Sequence, residues 1–222
     1  DAKSTVVYDG EAAKRIEQRV SEKGADGKLM LDANGEVVQV NLFEKLLVTL
    51  LSKLGNFVLD GGIWLNTQRP EWNDANNALV GHGLSMVTLY YMRRWVDFHQ
   101  RLLAQASGSL RISREVGEWL AETAAALRDV RPTLASGLAS AETRYQLLVR
   151  LGQAASRYRQ TVYQQEAFSG TVEQAVSEER PSRTRSARRC PLRRFVRRAA
   201  ALVPKRTVRR RRSRCLSRLA LS

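Results

Sequence analysis

Cysteine is absent from the first 180 residues, and the whole chain of 222 has only Cys190 and Cys215. A disulfide framework and a cysteine-based metal site are therefore excluded from that stretch. Histidine is almost as scarce: His82 and His99 are the only two, too few for a His-rich metal centre. The apolar runs are broken by Lys, Glu, Asn or Arg well short of the roughly 18–20 residues needed to span a bilayer. No apolar signal core follows a basic start, so the expected location is cytoplasmic with no membrane partner. Another absence is local. Residues 181–222 hold 16 Lys and Arg but no Asp or Glu, which leaves residues 1–180 with 21 basic and 22 acidic side chains, although the chain as a whole carries +15. A nucleic-acid-binding fold with basic residues spread over one face is disfavoured by that division.

Two regions follow: a near-neutral body, residues 1–180, and a basic low-complexity tail, residues 181–222. The tail uses almost only Arg, Ser, Ala, Leu, Val, Pro and Cys. It reads as a basic arm for polyanions, as an amphipathic helix weakened by Arg on every face, or as out-of-frame translation of GC-rich DNA. Its abrupt onset favours the last, with a disordered tail and only non-specific nucleic-acid binding.

The body is mainly α. Asp9 is a candidate cap for a helix that Gly24 ends. Asp32-Ala33-Asn34-Gly35-Glu36, between Leu29–Leu31 and Val37–Val40, signals a small β-hairpin insert. Asn41 caps the next helix, with Glu44 at the capping-box position, and Leu42, Leu46, Leu47, Leu50, Leu51 and Leu54 give it a broad apolar face. Residues 55–64 read as a connection, and residues 66–76 as a polar loop. The spacing predicts a helix over 83–105 with Leu84, Val87, Tyr91, Trp95 and Phe98 on its apolar stripe. It predicts another from Ser113 to about Val130, stopped by Pro132, and a third from Ala135 to about Phe168. Gly170 breaks that one, and a further helix is expected from Thr171 to Arg180.

The densest polar cluster is Asn66-Thr67-Gln68-Arg69-Pro70-Glu71-Trp72-Asn73-Asp74-Ala75-Asn76-Asn77. Amide, carboxylate, guanidinium and indole groups in one loop suit sugar binding: the ring meets C–H faces while the polar groups pair with hydroxyls. A carboxyl shielded beside Trp72 would also have its pKa raised, as a general acid requires. The competing reading makes Asn73 or Asp74 an ordinary cap for the following helix.

Trp72-Asn73-Asp74 followed by Asn77 resembles the Trp-Asn-Asp-Gly-Met-Asn segment of glycoside hydrolase family 94, the cellobiose phosphorylases and related β-glucan phosphorylases. Val80-Gly81 and Ser85-Met86-Val87-Thr88-Leu89 are similar to the family's continuation. The resemblance covers residues 69–92. It implies an (α/α)6 barrel, here a partial toroid. It also implies a general acid that protonates the glycosidic oxygen while inorganic phosphate attacks the anomeric carbon. That role falls on Asp74. Trp72 and Asn73 would shape the sugar subsite and Asn77 would support the loop. Ala75 and Asn76 replace the family's Gly-Met, and Arg69-Pro70-Glu71 replaces its Gly-rich lead-in, which points to a relative in the wider group of barrel phosphorylases and glucosidases.

The candidate substrate-binding residues are thus Arg69, Glu71, Trp72, Asn73, Asn76 and Asn77, the expected ligand is an oligosaccharide or glucan, and no metal or organic cofactor is expected beyond phosphate as co-substrate. A hydrolase would instead need a second carboxylate to hold water on the opposite sugar face. Glu71 is the nearest in sequence, with Asp60 and Asp97 weaker. Arg69 also fits a salt bridge to Glu71 or Asp74, His82 a surface position, and His99 a structural one. A closed twelve-helix ring needs roughly 350–400 residues, so the expectation is a fragment with negligible turnover alone and with Leu46, Leu50, Tyr145 and Leu148 left exposed. The alternatives are a helical protein that binds nucleic acid through the tail and a non-catalytic carbohydrate-binding module.

Overall fold

The computed structural model describes residues 8–66, 79–105, 108–134 and 138–175. Among these are five α-helices and short antiparallel strands, and four of the helices, all but the first, contribute to one apolar core. Helix α1 (Gly10–Lys23) starts where Asp9 accepts a hydrogen bond from the Ala12 amide and stops at Gly24, whose φ of 66° an L side chain resists. It buries none of its own residues. A 3-10 turn over Gly24–Lys28 follows. Arg19 donates to the Gly27 carbonyl at 3.1 Å. A Cβ at Gly27 would fall 2.4 Å from the Arg19 backbone carbon, so only glycine lets the turn pack there.

The expected hairpin is narrower than its sequence signal. It reduces to one bridge, Leu31 with Val37. Its Asp32 side chain accepts from the Asn34 and Glu36 amides. That local Asx bonding closes the turn without needing long strands.

Helix α2 (Leu42–Leu54) is capped by Asn41, which accepts from the Glu44 amide at 2.9 Å. Phe43, Leu47, Leu50, Leu51 and Leu54 face the core. Leu50, expected to be exposed, is therefore buried, whereas Leu42 points outward. The reciprocal half of the capping box is replaced: Glu44 is turned to the Ser113 amide at 3.1 Å.

The stretch read as a plain connection folds into β1 (Phe57–Val58) and β2 (Gly62–Trp64), which pair antiparallel, and β3 (Leu84–Ser85) joins β2 on its other side. Helix α3 (Met86–Gln105) follows. It buries Leu89, Met92, Val96, His99 and Leu103. The expected stripe is the other face: Val87 and Tyr91 are 67% and 63% exposed, and Leu84, Trp95 and Phe98 are also exposed. Both faces repeat at helical spacing, so periodicity alone did not separate them.

Strand β4 (Ser109–Ser113) leads into α4 (Arg114–Leu134). Pro132 lies inside the last turn rather than ending the helix. It removes one donor, to the Arg128 carbonyl, while Val130 in the same turn stays anchored in the core. Helix α5 (Ala141–Gln165) starts later than expected because Ser140 caps it, accepting from the Thr143 amide. The two helices run antiparallel. Trp119 stacks on Tyr158 with centroids 4.5 Å apart, and Arg157–Glu122 and Arg150–Asp129 ion pairs follow along the seam. At the lower end of α2, Gly55 approaches Ala155 so closely that a Cβ would stand 2.9 Å from it.

The helix expected from Thr171 is instead strand β5 (Thr171–Ala175), antiparallel to β4, with Ser109 opposite Ala175 and Ser113 opposite Thr171. Val172 packs against the core, and a Cβ at Gly117 would come 2.7 Å from its Cγ2. Pairing with β4 overrides the helix preference of Glu173, Gln174 and Ala175. The basic tail, residues 181–222, lies outside the described residues.

Candidate functional site

Sheet strands β2 and β3 sit at the two ends of the polar loop. The Leu65 amide donates to the Gly83 carbonyl at 3.0 Å, and the Gly81 amide returns a bond to the Leu65 carbonyl at 2.6 Å. The Trp64 indole donates to the Gly81 carbonyl at 3.2 Å. Asn66 donates to the Asn56 side chain at 2.7 Å. The glycines explain why the chain closes here. Gly81 has a φ of 81°, and a Cβ at Gly83 would lie 2.5 Å from that of Leu79. The loop thus leaves and re-enters the sheet at neighbouring points. Arg69, Glu71, Trp72, Asn73, Asp74, Asn76 and Asn77 themselves fall outside the described residues.

The weaker candidates have other work. Asp60, in a left-handed conformation with φ of 58°, accepts from the Ala139 amide at 2.9 Å, so it ties the β1–β2 turn to the approach of α5. Asp97 is half-buried and His82 is exposed. His99 is fully buried. Its Nδ1 lies 2.8 Å from the Trp95 carbonyl, a contact that places the proton on Nδ1. The ring is surrounded by Phe43, Trp95 and Phe98 at centroid distances of 5.8, 5.4 and 5.6 Å. Burial pushes its pKa down, and the Trp95 carbonyl only partly offsets this. His99 is a neutral core residue, as its place beside Phe98 suggested.

Two carboxylates that the sequence did not single out as functional are the most buried. Glu44 is 3% exposed and Glu115 is 5% exposed. Glu115 Oε1 accepts from the Ser169 amide at 2.8 Å, while Oε2 has no partner. Burial pushes its pKa up, but hydrogen bonding to Ser169 and to its own backbone, with the charge of Arg114, together hold it below the ordinary carboxylate range. The Tyr158 phenol is pushed up by burial and then by the charges of Glu44 and Glu115. The only local signal is the capping-box place of Glu44, and neither position announces its partner, which lies 69 and 54 residues away respectively.

Among the described residues no group of three or more His, Cys, Asp or Glu is placed to hold a metal ion, and no helix is long and apolar enough to cross a membrane. The molecule belongs to the class of mainly helical proteins with small antiparallel sheets. No protein-family model matches the sequence, and no curated protein is significantly similar to it.

Proposed function

We propose that the chain serves a protein acting on glycosidic bonds of a β-glucan or oligosaccharide, by phosphorolysis or hydrolysis, with Asp74 as general acid. The carrying observation is the sequence Trp72-Asn73-Asp74 with Asn77, set in a loop whose ends are fastened to each other by the Leu65–Gly83, Gly81–Leu65 and Trp64–Gly81 hydrogen bonds. A loop anchored at both ends on a packed sheet presents its polar groups at lower entropic cost than a free one. On this reading, a carboxyl shielded beside Trp72 would have its pKa raised and could pass its proton to a departing sugar oxygen. Phosphate then needs donors rather than a second carboxylate, whereas water needs a base.

A partial (α/α)6 toroid is the architecture that goes with this reading. The antiparallel pair α4–α5 and the exposed apolar face of α3 support it, since helices in a ring carry apolar groups on the sides that meet their neighbours.

The test begins with calorimetric titration of the chain with β-glucan oligosaccharides. Saturable binding that Trp72→Ala weakens about tenfold or more, a ring-stacking loss of about 1–2 kcal/mol, is the expected result. Asp74→Asn should leave that binding nearly unchanged. In a longer protein carrying this segment, Asp74→Asn should lower release of sugar or sugar phosphate by about a hundredfold or more. Undiminished release would remove Asp74 from the acid role, and absent binding would remove the sugar assignment.

A further inference from the structure

A cavity of about 680 Å³, lined by no residue of β2 or β3, lies between the 31–40 hairpin, the start of α2, β4 and the segment leading into β5. That volume is in the range of small-molecule sites. Leu31, Val38, Val40 and Phe168 supply apolar wall. Most of its polar groups are already committed. Asp32 Oδ1 accepts from the Asn34 and Glu36 amides while the carboxylate stands exposed at the rim, and Asn41 accepts from Glu44 and donates to the Arg111 carbonyl.

Two charges remain. Glu44 lines the cavity while 3% exposed, and the Ser113 amide takes only its Oε2, leaving Oε1 for a donor. Arg111 lines the same cavity from an exposed position and makes no ion pair among the described residues. Its cross-strand neighbour Glu173 accepts from the Ser109 hydroxyl instead. Arg111 and Ser113 stand about 7 Å apart along β4 and turn the same strand edge to the start of α2, the Arg111 carbonyl accepting from Asn41 and the Ser113 amide donating to Glu44, so the cation and the carboxylate belong to one wall of the cavity.

We propose that this cavity binds a free α-amino acid with an apolar side chain, its ammonium on Glu44 and its carboxylate on Arg111. A simple anion would meet Glu44, and a simple cation would leave Arg111 unmatched. An uncharged apolar ligand would strip water from Glu44 without replacing its hydrogen bonds, which is costly. A zwitterion places each charge against its opposite while its side chain covers Leu31, Val38 and Phe168. The proposal is independent of the glycosidic reading and shares no residue with it.

Calorimetry of the whole chain with L-leucine and L-phenylalanine is the test, with N-acetyl-L-leucine and L-leucinamide as partners that each lack one charge. The expected result is saturable binding of the free amino acids, no binding of the capped ones, and a loss of about tenfold or more in Glu44→Gln and in Arg111→Ala. Glu44→Gln keeps an acceptor for Ser113, and Arg111 is exposed, so Arg111→Ala tests the site even where the first variant folds poorly. Binding of L-leucinamide alone would assign the site to a peptide N-terminus, and binding of N-acetyl-L-leucine alone to a C-terminus. Either result overturns the proposal, as does indifference to Arg111→Ala or no saturable binding at millimolar ligand.

Discussion

Glu166 accepts Arg15 Nη2 at 2.8 Å and Arg19 Nη1 at 3.1 Å, so one carboxylate at the end of α5 holds two successive turns of α1. Because α1 has no fully buried residue and only half-buried Ala12, Ala13, Ile16 and Val20 on its apolar side, this clamp adds to a thin apolar contact. Glu166 also has a left-handed φ of 48° as the C-cap of α5, where its amide donates to the Val162 carbonyl at 2.9 Å. Glu166→Gln should raise amide exchange through Gly10–Lys23 by several-fold while leaving α4 and α5 protected. Added salt should do the same in the wild type, because the groups are exposed. Hydrogen exchange that stays uniform across the molecule would show that α1 is held some other way.

The Glu166 carboxyl is kept below its ordinary range first by the Arg15 hydrogen bond. The sign follows: with a depressed folded-state pKa, the clamp contributes fully above the unfolded carboxylate value and is lost as pH falls through the folded one. Exchange from α1 should therefore accelerate in acid before the core opens.

His99 gives a second pH dependence in a different window. Its folded-state pKa is lowered by burial, so the native state favours the neutral ring. Stability from this residue is complete above the unfolded value of about 6.5 and declines as pH drops below it, because only the unfolded chain readily takes the proton. Thermal melts between pH 7 and pH 5 should show the decline in the wild type. His99→Phe should flatten it, whatever its effect on absolute stability. An unchanged slope would contradict a buried neutral imidazole.

Gly117 and Val172 test the contact that places β5. A Cβ at 117 would stand 2.7 Å from Val172 Cγ2, and a β-branched side chain has little room to turn away. Gly117→Ala should destabilise the protein, although alanine in a helix interior normally gains about 1 kcal/mol over glycine. Adding Val172→Ala should recover part of the loss, giving a clear coupling in denaturant titrations. Additive effects would mean that β5 does not lie on α4 as described.

The two faces of α3 should respond oppositely. Leu89→Ala or Leu103→Ala empties core volume and should cost about 2–5 kcal/mol. Val87→Ser and Tyr91→Ser alter exposed positions and should remain within about 0.5 kcal/mol. Equilibrium unfolding of the four variants distinguishes the buried row from the outward one.

Local chemistry was the most legible part of the sequence. Asp9, Gly24, Asn41 and Gly170 mark chain reversals or helix ends because their effects act within a few residues. Features that depend on distant partners were not visible. Thr171–Ala175 read as helix because its partner strand lies more than 50 residues earlier. Glu44 read as half of a capping box because nothing near it signals Ser113. The α3 stripe was assigned to the wrong side because Leu84, Val87, Tyr91, Trp95 and Phe98 are as regularly spaced as the buried row. For the candidate loop, sequence supplied the chemical vocabulary, and the structure added the fastening of Leu65 to Gly81 and Gly83.

The ladder of β4 and β5 has only two strands; the outer rim of β4 is engaged by Asn41 at the Arg111 carbonyl and by Glu44 at the Ser113 amide, whereas the outer rim of β5 has no second sheet neighbour among the described residues. Such rims template strand addition. At high concentration, intermolecular pairing at Thr171–Ala175 is thus the route by which copies of this fold would first adhere, and the charge of Glu173 in its middle disfavours the register that sets two copies of it directly opposite.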